Sequence, residues 1–78
     1  MDEQIVHYSI NVVLKSGKTV ASDPVECYWE KAQSQVLETT ATIQEDAFTT
    51  LTFIRNGRLT IVLKSAIDYV EFITDLAK

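Results

Sequence analysis

Few side chains in this 78-residue chain could do covalent or acid–base chemistry. The single cysteine, Cys27, and the single histidine, His7, are the candidates for nucleophile and base. Cys27 follows Asp23-Pro24, where a helix is expected to start, and a helix N-terminus can lower a thiol pKa. Two acids close in sequence, Asp23 and Glu26, oppose thiolate formation, and no base lies nearby. The helical wheel turns Cys27 away from the apolar stripe, towards solvent or a partner. His7 falls on the outer face of a strand-like run, and the sequence points to neither an orienting carboxylate nor a nucleophile for it. An exposed or interface side chain is the expectation for His7, and catalysis is expected at neither residue.

Other chemistries are equally short of groups. One cysteine makes no disulfide, and one Cys with one His gives no zinc-ligand spacing. The only glycines, Gly17 and Gly57, fall at turns, which leaves none for a phosphate loop or a dinucleotide fingerprint. No enzyme, cofactor or metal is expected. The adjacent aromatics Tyr28 and Trp29 could form a stacking platform, but both fit the buried stripe of a helix, and core packing is the expectation.

The charges are the feature with most pattern. Lys15, Lys18, Arg55, Arg58 and Lys64 are five of the seven Lys and Arg residues, and four of them flank the two expected hairpin turns. If both tips share one end of the sheet, they form a basic patch on an acidic protein. Such a patch could serve nucleic acid, a phosphorylated ligand or an acidic partner. Solubilising bases at exposed turns explain it more simply. No aromatic residue is interleaved with them, which argues against nucleic acid.

These groups have to be positioned by some fold. Phe48 to Lys64 reads as a hairpin, with two runs rich in Thr, Ile, Val and Phe flanking Asn56-Gly57. A two-residue loop would leave both faces mixed. A three-residue loop, Arg55-Asn56-Gly57 with a bulge, would place Thr49, Leu51, Phe53, Leu59, Ile61 and Leu63 on one face. That register separates apolar from polar better and is the one expected. Ile5 to Lys15 alternates as a half-buried strand, with Val6, Tyr8, Ile10, Val12 and Leu14 on one side; its length suits a central place. A bulged loop Lys15-Ser16-Gly17 leads to a short return strand Thr19–Ala21, with Val12 opposite Val20.

Asp23-Pro24-Val25-Glu26 has helix-start spacing, with Asp23 as cap and Pro24 at the first helical position. The helix is expected from Pro24 to about Glu38, with Val25, Tyr28, Trp29, Ala32 and Val36 on its buried stripe. Thr39 to Asp46 then reads as a connection, with Ile43 turned inward. Ser65 to Lys78 can be read as a helix capped by Ser65 or as a strand around Tyr69–Ile73. Its polar spacing favours the helix.

Length and composition bound the rest. The chain makes one small domain, in which a single core rarely supplies more than about 3–5 kcal/mol of net stability. With no disulfide or metal, self-association is a reasonable source of the remainder. A hydrophobic fraction of 46% argues against disorder. Net charge is −4 and pI about 4.7, so the surface as a whole repels nucleic acid. The N-terminal M-D-E-Q reads as neither signal peptide nor membrane anchor, and a lone thiol fits the cytoplasm.

The expected fold is α+β: an antiparallel sheet of about four strands in the order β-β-α-β-β, one helix on one face, and a short C-terminal helix. The expected function is a non-enzymatic protein-interaction module that self-associates or binds another protein. The alternative is a regulatory binder of nucleic acid or a phosphorylated ligand through the basic tips.

Overall fold

The structure, a computed structural model, describes residues 4–75. It is an α+β fold built around strand β1, Ile5–Leu14. Alternation decides its orientation: Val6, Tyr8, Ile10 and Val12 are buried, while the residues between them face the other way. Both edges of β1 are paired, so its expected central place is observed. Along one edge run two short strands in succession, β2 (Thr19–Ala21) and β3 (Val25–Tyr28); along the other runs β6 (Ile67–Thr74). All three pairings are antiparallel, and Val12 stands opposite Val20 as expected. Between these elements the chain forms helix α1 (Trp29–Gln44) and the hairpin strands β4 (Thr50–Arg55) and β5 (Arg58–Leu63).

The helix begins later than its start signal suggests. Val25–Tyr28 is a strand because the first half of β1 has an open edge there: Tyr8 pairs with Val25, His7 with Glu26 and Val6 with Cys27. A ladder to a buried strand outweighs the capping pattern, and Asp23 uses its carboxylate elsewhere. The helix instead starts after Tyr28, without a side-chain cap, and carries Glu30 in its first turn, where a carboxylate complements the helix dipole. It also runs past Glu38 to Gln44, through the threonines expected to end it. Thr40 Oγ1 donates to the Val36 carbonyl at 2.8 Å and Thr42 Oγ1 to the Glu38 carbonyl at 3.0 Å, so both hydroxyls are satisfied within the helix. Its last turn has no basic residue of its own. Lys64, from the end of β5, supplies one: Nζ donates to the carbonyls of Thr42 at 2.7 Å and Glu45 at 2.8 Å. Hydrogen bonds to a charged group of this kind contribute roughly 1.5–3 kcal/mol. Ile43, expected to turn inward, is only partly covered, at 38% exposure.

No C-terminal helix forms over Ile67–Thr74. After a 3-10 turn at Lys64–Ala66, β6 completes the second edge of β1 over the pairs Tyr8–Thr74 to Leu14–Ile67. The β-branched and aromatic run Tyr69–Ile73 outweighs the polar spacing because it has a full strand to pair with. Asp68 is skipped in this register, which leaves a bulge. The expectation for 76–78 lies outside the described residues.

One face of the four-stranded sheet is covered in two parts. Helix α1 lies over its first half, where Ala32 packs with Val6 and Tyr8, backed by Cys27 and Trp29. The hairpin lies over its second half, where Leu51, Phe53 and Val62 meet Ile10 and Val12. Phe72 belongs to both clusters and stacks on Tyr8, with ring centroids 4.9 Å apart.

The hairpin is a separate two-stranded sheet, paired with neither edge of β1. Its register also differs from the expected one. Arg55 pairs with Arg58, Ile54 with Leu59, Phe53 with Thr60 and Leu51 with Val62. The loop is the two residues Asn56 (φ 54°) and Gly57 (φ 73°), both in the left-handed region, as a type I′ turn requires. Separating polar from apolar favoured the bulged loop only on the assumption that one face meets water as a polar surface. In the observed register Leu51, Phe53 and Val62 are 5%, 8% and 9% exposed, and the outward face is itself apolar.

Candidate interaction surface

That outward face is the most unusual part of the molecule. Residues two apart on a strand share a face, so Ile54 on β4 aligns with Leu59, Ile61 and Leu63 on β5. Register places Ile54 opposite Leu59, Thr52 opposite Ile61 and Thr50 opposite Leu63. The four large apolar side chains are 50%, 65%, 62% and 60% exposed. Scattered exposed leucines are normal, but four together on one small face are not. Of the inward layer expected for the hairpin, Leu51 and Phe53 are inside and Leu59, Ile61 and Leu63 are outside. On the helix side Ala32 is buried and Trp29 and Val36 are half-buried, whereas Val25 is exposed on β3.

A single side chain fixes how the hairpin sits. Ser22 and Asp23 lie where the chain passes from β2 to β3. Ser22 Oγ accepts the Ile10 N–H at 2.8 Å, which fills the gap between the two short ladders. The Asp23 N–H donates to the Ile54 carbonyl at 2.8 Å, and its carboxylate accepts the N–H groups of Asn56 at 2.8 Å and Gly57 at 3.0 Å. Those two backbone donors, and then the nearby Arg55, hold the Asp23 carboxyl below its ordinary 3.8. The residue read as a helix cap is therefore a clamp on the hairpin turn. The clamp was not legible because Asp23 and Asn56 are 33 residues apart.

The basic residues are spread around this frame. Arg55 and Arg58 close the turn opposite each other, beside Asp23. Lys64 stands at the other end of β5, about 20 Å away by strand rise, with its Nζ on the helix carbonyls. Lys15 and Lys18 flank the Gly17 turn, and the Lys15 N–H donates to Ala66. The structure thus brings Lys15 near the Lys64–Ala66 turn and keeps Lys64 away from Arg55 and Arg58.

His7 has more company than its sequence neighbours suggest. Its Nδ1 is 3.1 Å from Asp75 Oδ2 and its Nε2 is 3.5 Å from Glu26 Oε2. Asp75 Oδ1 also accepts the His7 N–H at 2.9 Å. Sequence reasoning found no orienting carboxylate because Asp75 lies 68 residues along the chain and meets His7 only through the β1–β6 pairing. A doubly protonated ring donates to both acids, and a neutral one to only one of them. Both ring nitrogens face carboxylates, so the group ties β1 to β3 and to the end of β6, beside a small pocket that Ser9 and Thr74 also line. Cys27 is half-buried on β3, opposite Val6 and packed in the helix-side core, so its expected outward orientation is not observed. Among the described residues no group of three or more His, Cys, Asp or Glu side chains is placed to hold a metal, and no helix is long and apolar enough to cross a membrane.

A cleft of about 720 Å³ runs between α1 and β4. Its floor includes Tyr8 and Ile10, one wall carries Gln35, Glu38 and Thr39, and the other is Thr50 to Ile54. Burial, then the neighbouring Cys27 and Glu38, hold the Tyr8 phenol above its ordinary 10.0. Compared with family models, curated proteins and solved structures, the chain matches none.

Proposed function

We propose that this protein is a cytoplasmic, non-enzymatic interaction module that associates with itself through the outward face of the β4–β5 hairpin. The observation that carries this reading is the shared exposure of Ile54, Leu59, Ile61 and Leu63 on one flat face. A second copy is the occupant favoured by size, since a chain this short gains stability by burying its core against itself. Two such faces packed sheet on sheet would exclude water from all eight apolar side chains.

The alternative, a basic tip for nucleic acid or a phosphorylated ligand, has less support. Lys64 is bound to the helix end and Arg55 lies beside the Asp23 carboxylate.

Light scattering over a range of concentrations tests the proposal. The expected result is a dimer or larger species for the wild type, and a folded monomer for Leu59→Lys and Ile61→Lys with unchanged circular dichroism. A wild-type monomer at high micromolar concentration would remove it.

A further inference from the structure

The cleft beside β4 offers a second surface, along the edge of the strand whose outward face carries Ile54. Both side-chain parities of the strand, Thr50 to Ile54, line it. A cleft lying over a sheet face would meet alternate residues only, so this one runs along the strand's edge. In a hairpin closed by Arg55 and Arg58, the pairs Phe53–Thr60 and Leu51–Val62 exchange ladder hydrogen bonds. Thr50, Thr52 and Ile54 consequently turn their backbone N–H and C=O groups away from β5. The Ile54 carbonyl accepts the Asp23 N–H, so the chain itself closes that end of the edge. Among the described residues, no backbone bond of the chain takes up the edge groups of Thr50 and Thr52.

The opposite wall sets the charge. Glu38 lines the cleft and forms no ion pair among the described residues, and neither Lys nor Arg lines it. We propose that the cleft binds an extended, basic peptide segment of another protein, which adds as a strand to the β4 edge at Thr50 and Thr52 and sets a Lys or Arg side chain against Glu38. Backbone pairing gives such a site affinity, and the side-chain wall gives it selectivity. The cleft accepts about five residues at strand rise.

The probe is a fluorescein-labelled acetyl-Thr-Val-Lys-Val-Thr peptide, read by fluorescence polarisation and by amide chemical shifts. Three companions accompany it: the same peptide with Glu for Lys, and two versions N-methylated on one or the other set of alternate amides. Saturable binding is expected for the lysine peptide, with shifts centred on the Thr50 and Thr52 amides. The glutamate peptide and one of the two methylated versions should fail, while the other methylated version binds. Glu38→Gln should weaken the lysine peptide about fivefold, the value of one partly exposed ion pair. Leu59→Lys should leave binding unchanged, which separates this site from self-association. A lysine peptide that does not saturate, binds no better than its glutamate counterpart, or tolerates both methylation patterns overturns the proposal.

Discussion

Asp23 shows how one side chain can serve a different structure from the one its neighbours advertise. Asp-Pro with Glu three residues on is a helix-start pattern, and here it stands at a strand boundary with the acid turned to a distant loop. Two backbone N–H groups stabilise the ionised form, so the folded carboxyl titrates below the unfolded one. The sign follows from linkage: the unfolded chain takes up the proton first as pH falls. Stability from this group is complete above the ordinary value of 3.8 and is lost as pH drops through the depressed folded value. Asp23→Asn keeps one acceptor and presents an NH₂ to the second donor. The variant is expected to unfold at lower urea than the wild type at neutral pH, with the gap closing in strong acid. A gap that is constant with pH would show that the carboxylate is not the clamp.

Among the elements, those whose partner lies close in sequence were legible and those whose partner is distant were not. The alternation of β1, the β1–β2 return with Val12 opposite Val20, and the existence of the Asn56-Gly57 hairpin depend on neighbouring residues, and all three are present. The local patterns of β3 and β6 allow a helix. What decides for strand is the pair of open edges on β1, which no window of sequence contains. The hairpin register failed for a related reason: polar and apolar residues separate best when one face meets water, and here neither face is polar. The apolar outward face was out of reach for the same reason, since three of its four large side chains, Leu59, Ile61 and Leu63, are expected inside in the bulged register. Register gives a direct test. Phe53→Ala is expected to cost about 3 kcal/mol in urea unfolding, whereas Thr52→Ala, next to it on the opposite face, should cost under about 0.5 kcal/mol. Equal costs would mean that the two faces are not distinguished as described.

At the scale of the whole molecule, one face of the hairpin is left uncovered by the rest of the chain. If the open hairpin face is covered by a second copy, folding and association are one equilibrium, and the thermal midpoint should rise with protein concentration. A midpoint that stays constant over a hundredfold dilution would place all of the stability within one chain. The pairing of β1 with β6 has a further consequence, for synthesis. A ribosome makes Ile5–Leu14 early and Ile67–Thr74 some 60 residues later, as the Asn11–Glu71 separation shows. Until Thr74 has emerged, the central strand lacks its longest neighbour, so the nascent chain exposes a sticky, half-dressed edge that invites chaperones and premature clumping.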